Sequence, residues 1–320
     1  SRGLGDVYKR QSLSQGYLLM ELWIPITILA AFSQNLRSAL QKHLKSKLST
    51  AGATYVRFFY AIPFAVAYLV ILNQVFDLKM PNPNAEFIFF GIMGGLTQII
   101  ATGLLVYLFS FRNFAVGTAY SKTETAQTAI FGLVILGDTL TPGAILGIAI
   151  SLIAVMAIST ARQETGLKSI FSSLLQKTAL IGIASGTMFG ISAISYRAAS
   201  LSLGGEGVAI QAAFTLACVT VLQTVLMSAY LIAKEPGEIT NVIKNWSVAG
   251  LVGLSGMVGS ACWFTAMTLQ NAAYVRALGQ IELVFTFVAS YLFFKEKSNL
   301  SEIIGIIALV IGILVLLIGT

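Results

Sequence analysis

NFAVGTAYSKTETAQTAIFGLVILGDTLTPGAILG (113–147) and NAAYVRALGQIELVFTFVASYLFFKEKSNLSEIIG (271–305) align without a gap at an offset of 158 residues. Asn113, Ala115, Ala119, Glu124, Asp138 and Gly147 fall on Asn271, Ala273, Ala277, Glu282, Glu296 and Gly305. One or two such matches arise readily between any two apolar helices. A shared acid inside one apolar run, a shared acid at the following turn and a shared glycine in the next run together mark an internal duplication. The offset is about half of the 320-residue chain, so the fold reads as two copies of one helical unit.

The rest of the chain fits that reading. Hydrophobic residues make up 56% and charged residues 10% of the sequence, and the mean hydropathy is +0.83, which excludes a soluble cytosolic enzyme. A spanning helix takes roughly 20 mostly apolar residues. Runs of that kind lie at about 22–41, 51–72, 86–110, 117–137, 141–160, 178–200, 207–232, 247–270, 275–294 and 300–319. The expected fold is therefore an all-α integral membrane protein of ten transmembrane helices. Five helices per copy is an odd number, so the second copy crosses the bilayer in the opposite sense. Residues 20–161 form the first unit of this inverted repeat, 162–177 a linker and 178–320 the second unit. Two units so related can close in turn on either side of a shared site, the architecture of secondary transporters. Residues 1–19, polar and carrying Arg2, Lys9 and Arg10, read as a non-native remnant ahead of Met20 and are set aside.

The formal charge of +7 bears on orientation, because the 20 Lys and Arg are scattered singly between apolar runs. Nucleic acid is not an expected partner; the lipid bilayer is. Loops after the odd-numbered runs hold Lys42, Lys45, Lys47, Arg112, Arg162, Lys168, Lys177, Lys234, Lys244, Lys295 and Lys297, against Lys79, Arg197 and Arg276 on the alternate side. The positive-inside rule then predicts that loop 162–177 is cytoplasmic and both ends external.

The inventory of reactive groups is short. Cys218 and Cys262 sit in apolar runs without a neighbouring thiol, and the single histidine, His43, lies in a Lys-rich loop. No disulfide framework, metal site or Walker A loop is expected, and no cofactor. The informative residues are ionisable groups inside the runs: Arg37, Arg57, Lys122, Glu124 and Glu282, with Arg197 and Arg276 nearer the run ends. Each needs a partner or a wet cavity. Helical spacing puts Ser121, Glu124 and Thr128 on one face, and Gly279, Glu282 and Thr286 on the matching face of the second copy. Lys122 and Glu124, two positions apart, do not face each other. The carboxylates either lock helices through pairs with Arg57 or Arg37, or bind substrate or exchange protons. A carboxylate out of water exchanges protons nearer neutrality, which makes proton coupling an expectation. Asn35, Gln34, Gln98, Thr102, Ser192, Tyr196 and Gln280 add polarity, and Tyr107 and Trp263 are candidate cavity walls. Gly182, Gly186, Gly190 and Gly253, Gly256, Gly259 form small-residue stripes suited to close helix contact.

WFTAMTLQNAAYVRALGQIELVFTFVASYLFFKEKSNLSEIIGIIALVIGILV (263–315) resembles the closing part of an EamA repeat of the drug/metabolite transporter superfamily, and 107–158 repeats it. YVRFF (55–59) resembles the basic second-span motif of the same family. Members usually carry proline after the mid-span Glu. Here Thr125 and Leu283 follow Glu124 and Glu282, and Arg57 has Phe214 at its counterpart position. A proline kink is therefore not expected, and the site is asymmetric in charge. The resemblance implies export of a small organic metabolite, an amino acid or related zwitterion, across the inner (plasma) membrane. Monomer and homodimer are both compatible with it. A membrane-embedded enzyme on lipid substrates would need clustered Asp, His or Ser, and the only close acidic pair is Glu235 with Glu238 in a loop. A channel-like or structural membrane protein is the remaining alternative.

Overall fold

The computed structural model describes residues 22–111, 118, 120–161, 176–205, 207–293 and 300–319. The presumed remnant 1–19, residues 162–175 of the linker, and Asn113 and Glu296 of the repeat lie outside these. Among the described residues the chain is helical, with no strand. The helices are α1 Trp23–Leu44, α2 Thr50–Phe59, α3 Ile62–Gln74, α4 Ala85–Leu108, α5 Glu124–Phe131 with a π-turn Gly132–Leu136, α6 Pro142–Ala161 and α7 Lys177–Ser202. They continue as α8 Val208–Lys234, α9 Glu238–Lys244, α10 Trp246–Leu269, α11 Ala272–Gly279, α12 Glu282–Phe293 and α13 Leu300–Gly319.

Among the described residues five stretches are long and apolar enough to cross a membrane: Thr50–Gln74, Ala85–Leu108, Lys177–Ser202, Val208–Lys234 and Trp246–Leu269, and Glu124–Leu136, Pro142–Ile158 and Ile303–Gly319 are shorter apolar helices. The expected first span falls outside both groups for a physical reason, and residues 294–299 at the end of the ninth lie outside the described residues. α1 carries Gln34, Asn35, Arg37 and Gln41, and the ninth is split into α11 and α12 around Gln280 and Glu282. These polar elements line the interior cavity described below.

The packing repeats with the sequence. α4 packs along α7, and α1 along α10; exchanging each helix of one pair for its equivalent in the other copy gives the other pair. α6 against α13 and α3 against α8 join equivalent helices of the two copies. The copies thus interlock instead of standing side by side. Close approach is made by glycine. A Cβ on Gly147 would stand 2.6 Å from the Leu316 nitrogen, and one on Gly143 2.7 Å from the Gly319 Cα, so α6 and α13 meet backbone to backbone. The stripes on α7 and α10 act alike: a Cβ on Gly186 would meet the Ser121 carbonyl at 2.7 Å, and one on Gly253 would strike Tyr60.

Three spans are broken, and two of the breaks correct the expectation of continuous helical faces. Residues 122–123 separate α5 from the helical residues 120–121, and 280–281 separate α11 from α12. Neither break contains proline. Short i→i−3 bonds replace the regular ladder: Thr123 N–H donates to the Tyr120 carbonyl at 3.2 Å and Gln280 N–H to the Ala277 carbonyl at 3.2 Å. Hydroxyls of Ser121 and Thr123 donate to carbonyls three residues back, both at 2.7 Å, so polar backbone stays satisfied inside the bundle. Ser121 therefore does not share a continuous helix with Glu124, nor Gly279 with Glu282. The third break, at Tyr60–Ala61, precedes Pro63, whose missing N–H frees the turn above it.

Candidate functional site

Glu124 and Glu282 each open the second half of a broken helix. An acid in the first turn is favoured there by the partial positive charge of the exposed N–H groups. Arg276 sits in the last turn of α11, where a cation is favoured for the converse reason. The breaks thus bring opposite charges to mid-bundle, and they pair across the two copies. Arg276 Nε lies 3.0 Å from Glu124 Oε1. Lys122 pairs with Glu282. The partners are not Arg57 or Arg37, as the spacing alone suggested. Arg276, read as lying near a span end, stands at the break itself.

The two ion pairs belong to one network. Arg276 stacks over the Trp263 ring, 4.6 Å from its centroid. Trp263 Nε1 donates to Gln34 Oε1 at 3.1 Å, and Gln34 Nε2 donates to Glu282 Oε2 at 2.9 Å. Asn35 Nδ2 donates to the Glu282 carbonyl at 3.1 Å and to Thr286 Oγ1 at 2.7 Å. Gln280 Nε2 donates to Thr125 Oγ1 at 2.8 Å, tying one break to the other. Gly279 makes room for this arrangement, since a Cβ there would run into Trp263.

Beside this network lies a cavity of about 280 Å³. Its polar lining includes Gln34, Asn35, Arg37, Lys122, Glu124, Arg276 and Glu282; Leu105, Phe109, Leu283 and Phe287 are among its apolar walls. It occupies the half of the bundle toward the ends of α1, α4 and α6 that lead into the basic loops. At the opposite end the helices are tied together. Arg197 donates to the Met267 carbonyl at 2.5 Å and the Gln270 carbonyl at 2.6 Å, and its Nε lies 3.7 Å from Asp138 Oδ2. Thr141 N–H donates to Tyr274 Oη at 3.2 Å and its hydroxyl to the Gly319 carbonyl at 2.5 Å.

Not every residue singled out from the sequence reaches the cavity. Tyr107 is 38% exposed and lies edge-on to Phe111, turned outward. Gln98 and Tyr196 form a separate buried knot with Gln223. Tyr196 Oη donates to Gln98 Oε1 at 2.9 Å, and Gln223 Nε2 donates to the same oxygen at 2.8 Å. Arg57 donates to Thr102 Oγ1 at 2.8 Å and borders a minor cleft with Gln98 and Gln223. Glu124, Glu282, Lys122, Arg37 and Asn35 do line the cavity, with Trp263 and Gln280 supporting it from behind. Arg276, Ser38 and Phe189 join the lining without having been singled out for it. Counting depth from a helix break, instead of from a span end, is what would have placed Arg276.

A solved structure described only as "Crystal structure of protein" matches with a TM-score of 0.66 at 14% identity, covering 93% of this chain and 96% of that one, a likeness of fold alone. No curated protein matches. The EamA-like transporter family matches over residues 21–160 and 176–318, two stretches that follow the internal duplication. The chain therefore belongs to the EamA-like transporter family, a family of membrane transporters within the drug/metabolite transporter superfamily.

Proposed function

We propose that the chain is a secondary active transporter that moves a small organic metabolite, an amino acid or related zwitterion, outward across the inner membrane by alternating access coupled to protons. One observation carries the reading. The two mid-span glutamates pair with cations of the opposite copy, beside a cavity that both copies line. A rocking motion that moves one copy against the other would stretch both pairs, so the network is placed to sense which side is open. The cavity lies in the half toward the basic loops, while the far end is tied through Arg197 and Thr141. With loop 162–177 cytoplasmic, this arrangement corresponds to an inward-facing state. Residues 20–161 and 178–320 then act as the two moving units.

Carboxylates that can trade a cationic partner for a proton supply a coupling step. Purified protein in liposomes is expected to give saturable counterflow of its substrate, accelerated by a pH gradient. Glu124→Gln and Glu282→Gln are expected to abolish the response to the gradient. Flux unchanged in both variants removes the coupling role while leaving the transporter class standing.

A further inference from the structure

Arg37 differs from the other buried charges. It is 3% exposed and lines the cavity, yet among the described residues it makes no ion pair or hydrogen bond, and its Nε is buried without a partner. Its stem packs beside that of Arg57 at Gly256, where an added Cβ would stand 3.4 Å from Arg37 Cδ and 3.6 Å from Arg57 Cγ. From that shared point the two diverge. Arg57 donates to Thr102, while Arg37 remains on the cavity.

The charge balance of the lining leads to the same residue. Its described cations are Arg37, Lys122 and Arg276, and its described carboxylates Glu124 and Glu282 are already engaged by Arg276 and Lys122. One positive charge is left over, at a depth where a lone charge is costly. A guanidinium presents a planar fork of donors that matches a carboxylate in a bidentate pair. A single carboxylate neutralises the excess of the lining, and Arg57 behind it, bonded to the Thr102 hydroxyl, adds buried positive charge that also favours an anion. The cavity of about 280 Å³ is near the low end of the range of small-molecule sites, roughly 300–1,000 Å³, which suits a small organic ligand. Leu105, Phe109, Leu283 and Phe287 offer its organic part an apolar wall.

We infer that Arg37 anchors the carboxylate of the substrate, and that the cavity selects ligands with a free carboxylate over their amide and amine relatives. The inference rests on the transport reading for the ligand's being a substrate, so binding and flux are measured separately. Binding is read by thermal shift on the purified full chain, with linear, branched and aromatic monocarboxylates, the amide and amine of each, and inorganic phosphate. Flux is read by counterflow of the best-bound carboxylate in proteoliposomes.

Carboxylates are expected to bind at least about tenfold more tightly than their amides and amines. Arg37→Gln is expected to weaken carboxylate binding about tenfold to a hundredfold and to bring it level with the amide. Arg37→Lys, which keeps the charge and loses the fork, serves if the neutral variant does not fold. It is expected to bind carboxylates more weakly while still preferring them to amides. The inference is overturned if no carboxylate binds, if amides or amines bind as well, if phosphate binds more tightly, or if carboxylate affinity is unchanged in both variants. Carboxylate binding that depends on Arg37 without counterflow upholds the anchor and refutes transport. Counterflow of neutral compounds untouched by either variant does the reverse.

Discussion

Removing the carboxylate charge of Glu124 leaves Arg276 buried without its counter-ion, and the geometry sets the size of the effect. At 3.0 Å and an effective dielectric constant near 20, Coulomb's law gives about 5.5 kcal/mol of attraction before desolvation. The two side chains are 10% and 13% exposed, so this is an interior pair, and one-sided removal of such a pair costs about 3–5 kcal/mol. Arg276 keeps the face of Trp263, and Gln at position 124 can still accept a hydrogen bond, which places Glu124→Gln near 3 kcal/mol. At roughly 2 °C per kcal/mol, the melting temperature is expected to fall by about 6 °C. Arg276→Gln is expected to cost a similar amount. The double variant is expected to be less harmed than the two losses combined, with a coupling of about 1–3 kcal/mol. Heating the full chain in detergent, followed by size exclusion, measures all three. If both single variants melt within about 1 °C of the parent, or if their losses simply add in the double variant, the reasoning about the pair fails.

The helix contact between α6 and α13 predicts that Gly312→Ala destabilises by about 1–3 kcal/mol, because its Cβ would lie 2.8 Å from the Ser151 nitrogen. Gly103→Ala, with nothing within 4 Å of the new Cβ, is the control and is expected to be neutral or stabilising in the same melting assay. In the buried knot, Gln98→Leu removes the oxygen that accepts from both the Tyr196 hydroxyl and the Gln223 amide and is expected to cost about 1–3 kcal/mol, whereas Tyr196→Phe leaves Gln223 bonded to Gln98 and to the Gly95 carbonyl and costs about 1 kcal/mol. Equal effects from the two variants would contradict the bonding pattern. With Cys218 and Cys262 replaced by Ser, a cysteine at Lys234 is expected to react with an impermeant thiol reagent from the cytoplasmic side and one at Lys79 from the outer side. The reverse labelling would invert the proposed orientation.

The duplication and the placing of the helices were legible because the bilayer constrains both. A fixed thickness sets the length of each apolar run, and an acid inside such a run is rare enough to align two copies. The breaks at 122–123 and 280–281 were hidden because they use tightened turns and hydroxyl back-bonds in place of proline. The pairings were hidden for a related reason. Spacing along a helix relates Lys122 to its own neighbours, whereas its partner, Glu282, lies in the other copy, and only the crossing of the two broken helices brings them together. Tyr107 looked like a cavity wall because an aromatic in an apolar run has no directional signature; its ring faces outward. The leftover charge on Arg37 becomes visible only once Glu124 and Glu282 have been assigned to Arg276 and Lys122.

The interlocked packing of the two copies bears on how such a chain is made. While only the chain up to Ala161 has been made, α1 lacks α10, α4 lacks α7, and the glycine face of α6 lacks α13. At that stage Lys122 and Glu124 lack Glu282 and Arg276, the opposite charges they later meet. The second copy supplies what the first lacks: α7 covers α4, α10 covers α1, and α13 closes against α6. A duplication that built the carrier also made each half depend on the other for insertion, so neither copy is free to mutate its buried face alone.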